Sequence, residues 1–193
     1  IMTHEAGHLA QICQCMSRTI DHPDDRIYPQ DIRDAIRPDD IHEPPSSLLC
    51  LENALSNGTV VSLPLLRQDY ETAKALGLKV HLDGARLFNA AATLGVSDVR
   101  ELTQYCDTVM CCLSKGLCAP VGSILAGPKD LIWRARRARR ILGGGMRQAG
   151  FLAAAGLVAL RDMTERVKED HENAAHLGSL LDAIDGVQGL RDR

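Results

Sequence analysis

Thr108-Val109-Met110-Cys111-Cys112-Leu113-Ser114-Lys115-Gly116-Leu117 is an apolar run that ends at a lysine. Upstream, Leu78-Lys79-Val80-His81-Leu82-Asp83-Gly84-Ala85-Arg86 has the same form, with an acid where the apolar character stops. Each run has the length and composition of a buried strand, and each ends in a Gly-bearing polar segment. In open α/β sheets ligands sit beyond the carboxyl ends of the strands. An amine and a carboxylate in that position suit a cofactor that forms a Schiff base and carries a pyridine nitrogen.

Working outward, the pattern alternates between strand and helix. Ser47–Leu51 reads as a strand and Asn57-Gly58 as a turn. Leu63–Leu76 reads as a helix closed by Gly77. Val121–Ala126 is a further strand, followed by helical patterns over Lys129–Arg140 and Phe151–Ile184, the second too long for one unbroken helix. Upstream, apolar spacing at Leu9, Ile12 and Met16 predicts a helix from His4 to Met16, and Pro29–Ile36 predicts a short one. The alternation predicts an α/β fold: a three-layer α/β/α domain with a mostly parallel sheet.

Composition narrows the class of partner. The 193 residues suffice for one domain with a sizeable core, which must be aliphatic because only 3% are aromatic. A net charge of −3 gives no reason to expect a polyanionic partner. No apolar run approaches the roughly 20 residues that span a bilayer. Ile1-Met2-Thr3-His4-Glu5 lacks a basic and then apolar signal, so a cytoplasmic location is expected. The seven cysteines form no CxxC pair and are expected to be reduced, mostly buried thiols.

Two other patterns point to different chemistry. His4-Glu5-Ala6-Gly7-His8 has HExxH spacing. On a helix this would place His4 and His8 on one face as zinc ligands, with Glu5 as general base of a metallopeptidase. Gly7 weakens that helix by about 1 kcal/mol, and no third ligand stands at a recognisable spacing, so no metal is expected. Arg134, Arg136, Arg137, Arg139 and Arg140 form a basic run, but the chain is acidic and only Trp133 interleaves. A solvated or subunit-facing helix accounts for them, and no nucleic-acid partner is expected.

Taken together, three motifs carry a resemblance: His81-Leu82-Asp83-Gly84-Ala85-Arg86-Leu87-Phe88-Asn89-Ala90; Leu113-Ser114-Lys115-Gly116-Leu117 with Pro120-Val121-Gly122-Ser123; and Gly143-Gly144-Gly145-Met146-Arg147-Gln148-Ala149-Gly150. In this order, with Asp39-Asp40-Ile41-His42 and Leu51-Glu52-Asn53, the chain resembles the low-specificity threonine aldolases. These belong to the beta-eliminating lyase/threonine aldolase family of fold-type I pyridoxal-phosphate enzymes.

The resemblance implies the large pyridoxal-phosphate domain of the aspartate-aminotransferase-like fold. It also implies a lyase that cleaves threonine or allo-threonine to glycine and acetaldehyde by retro-aldol breakage of the Cα–Cβ bond. Lys115 would be the Schiff-base lysine, its neutral amine favoured by burial. Asp83 would pair with the pyridine nitrogen, although an acid before Gly84 also fits a helix cap. Arg86 would reach the phenolic oxygen or the substrate carboxylate. His42 would accept the substrate hydroxyl proton. Arg147 would face the cofactor phosphate or a neighbouring subunit, with assembly as a homodimer or homotetramer.

Departures from the family pattern accompany the likeness. Ala54-Leu55 stands where Thr-His is usual, Glu5-Ala6-Gly7-His8 where Glu-Ala-Gly-Gly is usual, and Arg140 where lysine is common. A glycine-rich phosphate-binding segment and a ring-stacking histidine would lie before Ile1. Residues 1–186 are therefore expected to be a partial cofactor domain, and 187–193 the start of a small C-terminal domain.

Overall fold

The computed structural model of the chain describes residues 5–187. Its centre is a four-stranded sheet in the order β1 (Leu48–Glu52), β2 (Lys79–Gly84), β3 (Thr108–Cys112) and β4 (Ser123–Ala126). The first three strands are parallel, and β4 runs antiparallel to β3. Leu49 pairs with Val80, Leu51 with Leu82 and Glu52 with Asp83. Because side chains alternate across a sheet, Leu49, Leu51, Val80 and Leu82 share the buried face. Cys50, Glu52, His81 and Asp83 share the opposite, half-open face.

The helices follow from local signals. α1 is His8–Gln11, and α2, Pro29–Ala35, begins with proline in its first turn. α3, Leu63–Ala75, starts where the Ser62 hydroxyl accepts from the Leu65 N–H at 3.4 Å. It stops before Gly77, whose φ of 77° is a left-handed value that glycine adopts without strain. α4 (Leu87–Leu94) and the short α5 (Arg100–Thr103) connect β2 to β3. α6 is Lys129–Ile141. α7 (Gly150–Val158) runs through a π-helical stretch, Ala159–Met163, towards α8 (Val167–Asp182).

One core joins the buried strand face to Ile32 of α2, Leu66 and Ala73 of α3, Ala90 of α4 and Leu102 of α5. A second, smaller cluster joins Leu113, Leu117 and Ala119 to Ala159 and Val167, and α4 packs on α8. The second cluster anchors the segment that carries Lys115.

Two expectations need correction. The N-terminal helix is only His8–Gln11, because Glu5, Ala6 and Gly7 hold φ values of 60°, 52° and 67°, which no right-handed helix accommodates. The thiols are free but not buried: Cys13, Cys15, Cys50 and Cys118 are exposed, and Cys106, Cys111 and Cys112 are intermediate. They lie on loops or on strands without full cover. The segment 187–193, apart from Val187, lies outside the described residues, as does His4. Among the described residues no helix is long and apolar enough to cross a membrane.

Candidate active site

Asp83 ends the central strand of the parallel trio. Its Oδ1 accepts the Ala85 N–H at 3.0 Å, and its main-chain oxygen accepts the Asn53 N–H at 3.0 Å. The acid thus caps a turn, as the capping alternative anticipates, but the helix itself begins later, at Leu87. One carboxylate oxygen remains for another donor. Gly84 lies so close to β3 that an added Cβ would sit 2.7 Å from the Met110 carbonyl oxygen. Arg86, half-buried, occupies the N-cap position of α4.

Lys115 stands on the connection from β3 to β4. Leu113 N–H donates to the Gly122 carbonyl at 2.9 Å and Ala119 N–H to the Leu113 carbonyl at 3.0 Å. Cys118 N–H donates to the Lys115 carbonyl at 2.9 Å. Leu113, Leu117 and Ala119 are buried beneath the loop. Gly116 approaches α4 so closely that a Cβ would meet Asn89 Oδ1 at 2.9 Å, and Asn89 in turn contacts His171 of α8 at 3.1 Å. The loop is therefore seated on the helix that follows Asp83 and Arg86. The lysine side chain itself is exposed rather than buried, because nothing among the described residues covers this face of the loop.

Glu52 joins these groups. It ends β1 in register with Asp83, on the same face, one strand away. Burial, and then the charge of Asp83, push its carboxyl above the ordinary glutamate range, while Arg86, a hydrogen bond from the Ser56 backbone and Lys115 pull it back. The acid, the arginine and the lysine foreseen for the site thus all act on one residue. Sequence reasoning assigned Glu52 no role, although its place at the end of the Leu48–Leu51 run matches that of Asp83. On the same face His81 contacts Thr108 Oγ1 through Nδ1 at 2.8 Å, and burial lowers its pKa against the opposing pull of Asp83.

Among the described residues no hydrogen bond or ion pair joins the other expected residues to this group. His42 is exposed on the segment that enters β1 at its amino end, where its backbone N–H donates to Asp40 Oδ1 at 2.8 Å. Arg147 lies beyond α6, lining a shallow concavity with Trp133, Arg136 and Arg140. Arg140 Nη1 donates to the Gly145 carbonyl at 2.8 Å and so holds the glycine turn. The HExxH geometry is not formed: left-handed Glu5, Ala6 and Gly7 interrupt the helix it needs, and His8 Nδ1 instead contacts the Glu5 carbonyl at 3.0 Å. Among the described residues no group of three His, Cys, Asp or Glu side chains is placed to hold a metal.

The family model for beta-eliminating lyases matches residues 1–192. The chain belongs to the beta-eliminating lyase family. Within that family it is 47% identical over 178 residues to a low specificity L-threonine aldolase of Escherichia coli O157:H7, covering 92% of this chain and 53% of that one. This family member thus spans about half the length of the curated relatives it matches. A solved structure of a putative L-allo-threonine aldolase from Listeria monocytogenes EGD-E superposes with a TM-score of 0.81 at 23% identity, over 95% of this chain and 49% of that chain. A PLP-dependent aminotransferase from Streptococcus suis 89-1591 gives 0.56 at 19% identity, over 81% of this chain and 41% of that chain. These likenesses establish the α/β fold expected from the sequence.

Proposed function

We propose that this beta-eliminating lyase is the catalytic half of a pyridoxal-phosphate-dependent aldolase that cleaves threonine or allo-threonine to glycine and acetaldehyde. The observation that carries the proposal is the strand-end group: Asp83 and Glu52 in register on one face, with Arg86 on the turn that follows Asp83 and Lys115 on the loop seated against α4. The donor set fits the cofactor. The side chains of Lys115, Arg86 and Arg147 make no hydrogen bond or ion pair among the described residues, and Asp83 keeps an oxygen for a ring N–H. Pyridoxal phosphate, when bound, supplies an aldehyde that condenses with amines and a ring that accepts the electron pair released at Cα.

The residues of the chain have the following parts. Lys115 supplies the anchoring amine and carries protons to and from it. Asp83 holds a proton on the ring nitrogen through its charge. Arg86 binds the phenolic oxygen or the substrate carboxylate. His42, or a water in its place, takes the proton of the substrate hydroxyl. Arg147 faces the phosphate or a second subunit. Assembly as a homodimer or homotetramer and residence in the cytoplasm belong to the same proposal. Exposed apolar side chains on α7 and α8, among them Phe151, Leu157 and Leu177, support self-association.

The test is direct. The chain is mixed with pyridoxal phosphate, reduced with borohydride and digested. Mass spectrometry is expected to find the adduct on Lys115 and to lose it in Lys115→Ala. An adduct spread over Lys74, Lys79, Lys129 and Lys168 instead removes the anchor. Acetaldehyde released from threonine without an added keto acid separates the aldolase from a transaminase.

A further inference from the structure

Cys13, Cys15 and Met16 bring three sulfur atoms into one turn, and nothing in the proposed function uses them. Both thiols are free and exposed, and Met16 is 73% exposed although its side chain is large and apolar. The turn wraps the carboxyl end of α1. The N–H groups of Ile12 and Cys13 donate to the His8 carbonyl at 2.8 and 3.2 Å, and that of Cys15 to the Leu9 carbonyl at 2.9 Å. Gln14, between the two cysteines, holds a φ of 53°. For a residue with a side chain that φ belongs to the left-handed helical region, so the chain curls where an extended residue would stretch it. Helical curvature sets Cα atoms two apart at about 5.4 Å, against about 7 Å in extended backbone. The shorter separation is one at which two cysteine side chains meet. The Cys15 thiol leans back over its neighbour and donates to the Cys13 carbonyl at 3.3 Å. Cys15 and Met16 also open onto one concavity, together with Gly7, Leu9 and Gln14.

We propose that this turn is a site for one soft, monovalent metal cation of the copper(I) class, held between the Cys13 and Cys15 thiolates with the Met16 thioether beside them. The donor set selects the ion. Thiolate and thioether sulfur favour Cu(I), whereas carboxylate, carbonyl and water favour Mg, Ca and Mn. Structural zinc takes four ligands in a closed tetrahedron. Among the described residues no third His, Cys, Asp or Glu side chain is grouped with the two thiols, which leaves a cation content with sulfur ligands alone. Binding replaces two S–H bonds by two S–Cu bonds, releases both protons to solvent and leaves the metal as Cu(I). The site depends on neither the cofactor nor Lys115.

The reduced chain, kept under argon, is given Cu(I) buffered by bicinchoninate, and each cysteine is then read by iodoacetamide alkylation and mass spectrometry. Alkylation of Cys13 and Cys15 is expected to fall together by about tenfold or more, while the exposed Cys50 and Cys118 react as before. Cys13→Ser is expected to restore the alkylation of Cys15, and Cys15→Ser that of Cys13, because a single thiol does not compete with the buffer. Met16→Leu, apolar and of similar size, is expected to weaken binding by about threefold or more. Zn(II) at the same concentration is expected to leave both thiols open. The replaced side chains are all exposed, so the fold survives their loss. Thiols that alkylate unhindered overturn the proposal, as does protection shared equally with Cys50 and Cys118. So does protection of one cysteine that outlasts loss of the other, parental binding in Met16→Leu, or zinc that protects as well as copper.

Discussion

Lys74 Nζ donates to both carboxylate oxygens of Asp107, each at 3.0 Å, and Asp107 Oδ2 also accepts the Val80 N–H at 2.8 Å. This pairing ties the last turn of α3 to the amino ends of β2 and β3, opposite the end of the sheet that carries Glu52 and Asp83. Burial pushes the Asp107 carboxyl up, but Val80, Lys74 and Lys79 outweigh it and leave its pKa below the ordinary value. The stability it contributes is present above the unfolded aspartate pKa and is lost as pH falls through the lower folded value. Asp107→Asn is therefore expected to lower unfolding free energy by about 1–2 kcal/mol at neutral pH. Urea melts at neutral pH and near pH 3 check this; a difference that persists undiminished in acid contradicts it.

Asp69 of α3 has the opposite sign. Only 2% of it is exposed, its Oδ1 has no hydrogen-bond partner, and burial, followed by the charge of Asp31 on α2, raises its pKa to about 7. The neutral acid is tolerated between the helices and the carboxylate is not. The contribution is fully present below the unfolded pKa near 3.8 and is lost as pH rises through about 7. Asp69→Asn is expected to be more stable than the parent above neutral pH, by at most about 4 kcal/mol, with the gap narrowing through mild acid and closing only as pH falls to the unfolded value near 3.8. Thermal melts at about pH 5 and pH 8.5 decide the matter, and a parent that gains stability on going alkaline contradicts the sign.

Gly84 follows Asp83 where β2 and β3 lie closest. A methyl there meets the Met110 carbonyl oxygen at 2.7 Å, the Leu87 Cβ at 3.1 Å and a Val109 methyl at 3.3 Å. The first of these is backbone and has no rotamer to yield. Gly84→Ala is expected to cost about 2–4 kcal/mol and to displace Asp83. Gly95→Ala offers the comparison: its φ of 69° strains any side chain, but no atom lies within 4 Å. It should cost only about 1 kcal/mol. Chemical denaturation of both variants tests the order.

The strands and the two strand-end residues Asp83 and Lys115 are legible in sequence because burial on one or both faces writes continuous apolar runs, and each run stops where backbone meets solvent. Gly77 is legible because a left-handed helix end selects glycine. What sequence hides has physical reasons as well. Leu87–Leu94 is helical but lies inside a motif whose alanines carry little periodicity. The N-terminal apolar spacing suggests a helix that three left-handed residues do not permit. The thiols look like core residues, yet one sheet face is only half covered. Glu52 escapes notice because a single acid after a strand is common; only the register with Asp83 gives it a partner.

Gly116 links the lysine loop to the rest of the site. A Cβ on it would stand 2.9 Å from Asn89 Oδ1 and 3.5 Å from Asn89 Nδ2, so Asn89 must give way and its 3.1 Å contact with His171 is broken, or the loop must rise. The two responses differ in their consequence. If Asn89 yields, stability falls by about 1 kcal/mol and Lys115 stays where it is. If the loop rises, Lys115 moves away from Glu52 and Asp83. Buried Leu113, Leu117 and Ala119 hold the loop from below, whereas Asn89 is a half-buried side chain with free rotamers. The side chain should therefore move first. Gly116→Ala is expected to lose stability while Lys115 still traps pyridoxal phosphate at near the parental rate. Asn89→Ala combined with Gly116→Ala should cost less than the sum of the two single changes, since the methyl then occupies space the amide has left. Borohydride trapping and a double-mutant cycle on unfolding free energy make the comparison. Trapping that collapses in Gly116→Ala and returns in the double variant would show instead that the loop, not Asn89, is the softer partner.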